Sequence, residues 1–140
     1  MANVIWHGEP DGRYWIDVAI SGEAVRTMVD LGLVDPLQAV GFELEPALYD
    51  QLKRAGDLKR FQYRFRRDAS GQITGSESGR TEAHLLHPVT RQAVGPVVRL
   101  HISRRAPGVP SRVGVAFFHR LAGCQIHWDL TDRTWCIEVP

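Results

Sequence analysis

The sequence predicts an all-β protein with a minor helical component. Its apolar runs alternate with a period of two residues, as half-exposed strands do, and the clearest example is residues 14–20, YWIDVAI. Turn sequences such as Asp11-Gly12 and Ser21-Gly22 separate these runs. Only two short segments have helical features. Strands joined by tight turns, with little helix, indicate a barrel or a sandwich.

Composition and charge narrow the class of protein. A chain of 140 residues with 44% hydrophobic and 24% charged residues is expected to fold as one domain, residues 1–140, without disulfide bonds. The 17 Lys and Arg residues and 16 Asp and Glu residues give a formal net charge of +1, which is too small to attract nucleic acid through the overall electrostatic field. No segment reaches the roughly 18 apolar residues of a membrane span, and residues 1–10 lack the layout of a secretion signal. The sequence therefore predicts a cytoplasmic protein without a membrane partner.

The first third of the chain predicts a hairpin, a strand and a helix. Residues 2–7 and 13–20 are expected to pair through the Asp11-Gly12 turn. Residues 23–30, EAVRTMVD, follow as another strand, so that Asp30 lies where a strand ends. A short helix should begin at Pro46 and end before Gly56, because proline suits the first helical position and glycine the position after the last.

The rest of the chain predicts two more hairpins around a strand and a helical segment. Residues 60–67, RFQYRFRR, and 83–87, AHLLH, should form a long hairpin with its tip near residues 75–79. In this hairpin we expect aromatic side chains to point inward and arginines to face solvent. Interleaved aromatic and basic residues also suit nucleic-acid binding, which is the less favoured interpretation. The closing hairpin should turn near residues 131–133, with Asp129 capping the turn.

The two cysteines are predicted to be free and buried. If the closing hairpin turns near residues 131–133, Cys136 lies opposite residue 127, and Cys124 lies roughly 10 Å further along the strand at about 3.3 Å per residue. That separation is too long for a disulfide bond.

The order of these elements carries a resemblance to a known family. Met28-Val29-Asp30-Leu31-Gly32 ends a strand, and Val113-Gly114-Val115-Ala116-Phe117-Phe118 precedes a short helix and a strand that ends in Asp129. This arrangement, over about residues 12–139, resembles the retropepsin-like aspartic peptidases, single-lobe relatives of pepsin. The resemblance implies an acid-protease-like fold, a closed β-barrel in which Asp30 is the catalytic residue and Leu31 and Gly32 complete the active-site loop. It also implies that Val113 and Gly114 form the family's second signature.

The resemblance also implies an assembly and a reaction. The family's chemistry needs two carboxylates about 3 Å apart that share one proton, and one chain supplies one of them. The active species would therefore be a homodimer, with Asp30 of each subunit activating water to hydrolyse a peptide bond. The hairpin would act as a flap that closes over a polypeptide substrate. The flap residues implied in this way are Gly75, Ser76, Glu77, Ser78 and Gly79.

Two positions depart from the family's pattern. Leu31 replaces the Thr or Ser whose hydroxyl bridges the two subunits, and Leu33 replaces a small residue. The alternative is therefore a catalytically inactive relative that binds a peptide or a partner protein. A further alternative for Asp30 is structural, as a strand-end aspartate that accepts hydrogen bonds from the following turn.

No cofactor or metal is predicted. His84 and His87 are three residues apart, and in a strand this spacing points their side chains to opposite faces. The remaining histidines stand without paired Cys or carboxylate ligands. Asp35-Pro36 is interpreted as a loop sequence without a functional role.

Overall fold

The computed structural model describes residues 2–140, and this part of the chain contains ten strands and two helices. The prediction of a mostly β protein with two short helices is confirmed. The strands are β1 (Ala2–His7), β2 (Trp15–Ile20), β3 (Glu23–Val29), β4 (Val40–Leu44), β5 (Lys59–Arg67), β6 (Ile73–Leu86), β7 (Ala93–Arg104), β8 (Arg112–Val113), β9 (Gln125–Asp129) and β10 (Thr134–Val139). The helices are α1 (Pro46–Arg54) and α2 (Val115–His119).

Most of the strands form a closed ring. The larger sheet has the order β2-β3-β8-β4-β7-β6-β5, and β2 also pairs with β6, so the strands from β2 to β6 in that order close on themselves. β5 lies outside the ring and extends β6 as a hairpin. The closed arrangement of strands that the sequence predicts is therefore confirmed. Two of its pairings, β3 with β8 and β4 with β7, are parallel, and these pairings bring distant parts of the chain together.

The interior of the ring is filled by alternate side chains from each strand. Val18 and Ile20 of β2, Leu85 of β6 and Ile102 of β7 are fully buried, as the two-residue alternation predicts. The helix α2 contributes Phe117, which is fully buried in the same core. This continuous core holds the loops at the ends of β3 and β8 in place.

Helix α1 begins and ends where its sequence predicts. Pro46 occupies the start of the helix, and Gly56, with φ of +77°, follows the last turn in the left-handed region. Lys53 and Arg54 lie in the last turn, where positive charge interacts favourably with the helix dipole. Tyr49 and Leu52 are buried against the core.

The predicted N-terminal hairpin is wrong. β1 pairs antiparallel with β10 rather than with β2, and β9 completes a separate sheet of order β1-β10-β9 in the described chain. Trp6 lies opposite Trp135 in this pairing, and their rings stack with centroids 4.4 Å apart. The Asp11-Gly12 turn still forms locally. Burial of two tryptophans against each other outweighs the local turn signal, because aromatic rings contribute large buried areas.

The predicted tip of the β5–β6 hairpin is also wrong. The chain turns at residues 68–72, where the Asp68 carboxylate accepts hydrogen bonds from the N–H groups of Ser70 and Gln72, each at 2.9 Å. Gly75 and Gly79 lie inside β6. They fit close packing rather than a turn, because a Cβ at Gly75 would lie 3.2 Å from the Phe65 ring and one at Gly79 would lie 2.7 Å from Leu58 Cβ.

The predicted orientation of the β5 side chains is confirmed for Phe61, which packs against the core, and is wrong for residues 63–65. Tyr63 and Phe65 are 62% and 74% exposed, whereas Arg64 between them is half-buried. The half-buried positions of β5 are Phe61 and Arg64, three residues apart, and the pairing with β6 is irregular between Lys59 and Gln62. Beyond this irregularity β5 lies outside the ring, so the core does not select the face that carries Tyr63 and Phe65. Arg64 points inward because it forms an ion pair with the buried Asp35.

The closing hairpin matches its prediction. Cys136 lies opposite His127, and Asp129 accepts hydrogen bonds from the Thr131 and Asp132 N–H groups at 3.0 Å. Cys124 and Cys136 are free, and each is half-buried rather than fully buried. Burial raises the pKa of the Cys124 thiol.

Neither helix in residues 2–140 has the length and apolar character that a membrane crossing requires.

Candidate active site

Asp30 lies at the end of β3, where the two sequence signatures meet. Because β3 and β8 are parallel, Val29 lies beside Val113. The Asp30 N–H donates to the Val113 carbonyl oxygen at 2.9 Å, and the Gly114 N–H donates to the Gly41 carbonyl oxygen at 2.8 Å. Signatures that are far apart in the sequence are thus held against each other by backbone hydrogen bonds.

The Asp30 carboxylate has two hydrogen-bond donors and remains accessible. Its Oδ1 accepts from the Gly32 N–H at 2.9 Å, and its Oδ2 accepts from Arg112 Nη1 at 2.8 Å. The side chain is 27% exposed. The bond from Arg112, supported by the Gly32 N–H, holds the pKa of Asp30 below its usual value. An isolated subunit therefore keeps Asp30 ionised at neutral pH.

Arg112 is the partner that the sequence analysis missed. Its guanidinium bridges Asp30 and Glu43, a residue of β4, and is itself half-buried. Burial alone would lower the pKa of Arg112, but its two carboxylate partners raise it, so the charge is firmly kept. Arg112 precedes the Val113-Gly114 signature directly, yet its role depends on the parallel register that sets Met28 of β3 beside it. The linear pattern contains no signal for that register.

Glycine is required at both signatures for steric reasons. A Cβ at Gly114 would lie 2.5 Å from the Leu33 carbonyl oxygen, which is closer than real contacts allow. A Cβ at Gly32 would lie 3.0 Å from Asp30 Oδ1. The two glycines therefore let the loop and the carboxylate approach closely.

Leu31 belongs to an apolar and exposed stretch of the same loop. Its side chain is 53% exposed, and Val34 and Leu37 are exposed as well. Three large apolar side chains within seven residues of this loop are thus exposed to water. No hydroxyl is present at position 31, as the sequence indicates.

Asp35 is a second carboxylate of this loop. It lies in a loop, as the sequence predicts, and unlike Asp30 it is buried. Its side chain is 3% exposed and accepts hydrogen bonds from the N–H groups of Leu37, Ala39 and Val40 at 2.7–3.1 Å. Arg64 of β5 adds an ion pair at 2.7 Å. Burial alone would raise the pKa of Asp35, but Arg64 and the three backbone donors hold it well below its usual value. The burial of Arg64 in β5 follows from this pair.

A cleft of about 270 Å³ lies between the loop and the β5–β6 hairpin. Leu33 and Val34 line it from the loop, and Glu43, which shares Arg112 with Asp30, lines it from β4. From the hairpin it is lined by Arg64, Arg66, Thr74, Gly75, Ser76, Glu77 and Ser78. Four of the five residues implied as a flap therefore face the cleft, while Gly79 is buried inside β6. Glu77 is held by Lys53 and by the Tyr49 hydroxyl, which keep its pKa below the usual value.

A larger cavity of about 710 Å³ lies away from Asp30. It is bounded by the turn after β2, the start of β5 and the outer surface of β6, and its lining includes Lys59, Arg80 and His84. Within residues 2–140 no group of three or more His, Cys, Asp or Glu side chains is placed to hold a metal ion.

The fold is that of the retropepsin-like proteins. The structure is similar to the crystal structure of a retropepsin-like aspartic protease from Rickettsia conorii, with a TM-score of 0.58 and 16% sequence identity over 97% of this chain and 89% of that chain. No protein-family model and no curated protein matches the sequence. At 16% identity the likeness concerns the fold.

Proposed function

We propose that this protein is an aspartic-type endopeptidase that acts as a homodimer, with Asp30 of each subunit in the active site. The observation that carries the proposal is the placement of Asp30. Asp30 lies at the end of β3, and its side chain is partly exposed. Its carboxylate accepts a hydrogen bond from the Gly32 N–H, and its own N–H donates to the Val113 carbonyl oxygen. A retropepsin-like fold with an accessible aspartate at this point suits peptide hydrolysis.

The chemistry requires the two Asp30 carboxylates to lie within about 3 Å of each other. One carboxylate, ionised, accepts a proton from water as the water attacks the scissile carbonyl carbon. The other, protonated, donates its proton to the carbonyl oxygen, which gives a tetrahedral gem-diol intermediate. The carboxyl that took the proton from water then passes it to the amide nitrogen as the C–N bond breaks, while the other carboxylate recovers a proton from the gem-diol, so that an amine and a carboxylic acid leave. The exposed side chains of Leu31, Val34 and Leu37 support a dimer through this loop, because association would remove them from water.

Arg112 sets the condition under which such a pair can work. Each Asp30 carries its own guanidinium at 2.8 Å, which favours the ionised form in both subunits. Repulsion between the two carboxylates favours a shared proton and the two guanidinium groups oppose it, so the dimer should hold that proton only at a more acidic pH than a pair without Arg112. Replacement of Arg112 by an uncharged residue should therefore raise the pH of optimal activity.

The same ion pair favours a second candidate function, a binding module without catalysis. If Arg112 keeps both carboxylates ionised at every pH where the dimer is folded, no general acid is available. The cleft could then still hold an extended peptide beneath the β5–β6 hairpin.

The test is cleavage of an unfolded protein mixture between about pH 3 and pH 7 by wild type, Asp30→Asn and Arg112→Leu. We expect acid-dependent cleavage by wild type and a loss of at least about a hundredfold in Asp30→Asn, the usual scale of a missing acid or base. Arg112→Leu should be active at higher pH than wild type. Arg99→Leu, which removes an exposed ion pair with Glu82, is the matched control and should behave as wild type.

Two results would overturn the peptidase proposal. One is a strictly monomeric protein by light scattering at the assay concentration, since the mechanism needs two subunits. The other is the absence of cleavage by both wild type and Arg112→Leu across the pH range, with folded dimers present. This result would favour the binding module.

A further inference from the structure

The surface of the β5–β6 hairpin that faces the cleft is basic and hydroxylic. Arg64 lies opposite Ser76, and Arg66 lies opposite Thr74 in the antiparallel register, and all four residues line the cleft. The aromatic residues Tyr63 and Phe65 do not line it. A peptide in the cleft would therefore meet guanidinium and hydroxyl groups on this side rather than an apolar wall.

The carboxylates that line the cleft are already paired. Asp35 is bound by Arg64, Glu43 by Arg112, and Glu77 by Lys53 at 2.9 Å. Each of these carboxylates has a cationic partner within the protein, although Lys53 is exposed and Arg112 is shared with Asp30.

Arg66 is the guanidinium of the cleft that lacks a carboxylate. No Asp or Glu oxygen of residues 2–140 lies within 4.0 Å of it, whereas Arg104, which also lines the cleft, pairs with Asp50 outside it. Arg66 is exposed, so its charge is available to a ligand. Among the described residues that line the cleft, Arg66 is therefore the guanidinium whose charge no carboxylate of the protein compensates.

We propose that Arg66 selects polypeptides that carry an acidic side chain in the segment that occupies this cleft, a specificity that rests on the proposed function of the site. A guanidinium donates two parallel hydrogen bonds to a carboxylate, and this geometry discriminates against the neutral amide of the same shape. Thr74 and Ser76, opposite Arg66 and Arg64 in the neighbouring strand, add hydroxyl donors for the same carboxylate. Arginine or lysine at this position of the substrate would be repelled.

The test uses binding rather than cleavage, so that it does not depend on catalysis. Two fluorescent peptides of about ten residues, identical except for Glu or Gln at the central positions, are titrated into the Asp30→Asn variant. We expect the Glu peptide to bind roughly tenfold more tightly, as a hydrogen bond between charged groups allows. The preference should weaken when the salt concentration rises from about 0.05 to 0.5 M, because Arg66 is exposed.

Charge reversal provides the matched pair of variants. In the Asp30→Asn background, Arg66→Glu should abolish or reverse the preference for the Glu peptide. Arg67→Glu makes the same change of net charge at the next residue, which lies opposite Ile73 and does not line the cleft, and it should keep the preference. Circular dichroism checks that both variants fold.

The outcomes separate this inference from the proposed function. Equal affinity for the two peptides, no binding of either at about 1 mM, or equal effects of Arg66→Glu and Arg67→Glu would overturn the role of Arg66. Cleavage by wild type without an acidic preference would support the peptidase proposal and contradict the role of Arg66. A preference that depends on Arg66 in a protein that never cleaves would support the acidic ligand and contradict the peptidase.

Discussion

Asp30 and Asp35 lie on the same loop, and each is paired with an arginine from another strand, yet their surroundings differ. Asp35 is almost completely buried and has three backbone donors besides Arg64. Asp30 is about a quarter exposed and has one backbone donor besides Arg112. The carboxylate of Asp35 is therefore saturated with hydrogen bonds, whereas Asp30 keeps capacity for a further partner.

The difference teaches how to separate a structural carboxylate from a candidate catalytic one. Saturated hydrogen bonding and burial fix Asp35 as the anchor between the loop and β5. Partial exposure and fewer donors leave Asp30 available to water or to the same residue of a second subunit. A low pKa is common to both carboxylates, so accessibility is the property that distinguishes them.

The strongest test of this difference between Asp30 and Asp35 is to remove each carboxylate in turn and to measure the change in stability. Asp35→Ala should lower the free energy of unfolding by about 3 kcal/mol, because it leaves Arg64 and three backbone N–H groups without their acceptor. Asp30→Ala should cost about 1 kcal/mol or less, since Arg112 keeps Glu43 as a partner. Urea denaturation of the two variants measures both values. Equal losses would mean that Asp30 is as structural as Asp35.

Gly114→Ala should lower the free energy of unfolding by less than Asp35→Ala. It disturbs the backbone beside Asp30 and leaves the hydrogen bonds to the Asp35 carboxylate in place. The added Cβ would meet the Leu33 carbonyl oxygen at 2.5 Å, and a backbone atom cannot move aside cheaply. We expect a loss of about 2 kcal/mol, in the range of overpacked sites. Gly32→Ala is the comparison variant, because its Cβ meets only the Asp30 side chain.

Gly32→Ala should therefore cost less stability than Gly114→Ala in the same urea denaturation experiment. Its φ lies outside the left-handed region, so strain of the backbone does not add to the steric term. A larger loss for Gly32→Ala than for Gly114→Ala would contradict the packing argument.

The last effect is the pH dependence of stability. Both carboxylates have pKa values below that of the unfolded chain, about 3.9, so their contribution is complete above that pH and is lost as pH falls. Each can add at most about 1.4 kcal/mol per pH unit to the slope. Unfolding between about pH 6 and pH 2 should be less acid-sensitive in Asp35→Asn than in wild type, with a weaker change in Asp30→Asn. An unchanged slope in Asp35→Asn would show that the unfolded state keeps the same pair.

Local patterns predict the elements of this protein well. Helix α1 starts at Pro46 and stops before Gly56 because those residues restrict or permit particular backbone angles on their own. The closing hairpin places Cys136 opposite His127 because a tight turn sets its own register. The short signatures around Asp30 and Gly114 are likewise local, so their positions could be read directly.

Pairings between distant segments could not be predicted in the same way. β1 pairs with β10 because Trp6 and Trp135 bury each other, and that contact joins the two ends of the chain. The turn of the β5–β6 hairpin lies at Asp68 rather than among the glycines of β6, since those glycines serve close packing against Phe65 and Leu58.

The sequence by itself determined the β-rich class, the order of the elements and the placement of Asp30 at the end of a strand, because alternation and turn residues act over a few positions. The tertiary structure alone decided the partners of the charged groups. Arg112 reaches Asp30 only because β3 and β8 are parallel and in register, and Arg64 reaches Asp35 only because β5 folds back over the loop. Coulomb and hydrogen-bond interactions depend on distance in space, and the linear chain does not contain that distance.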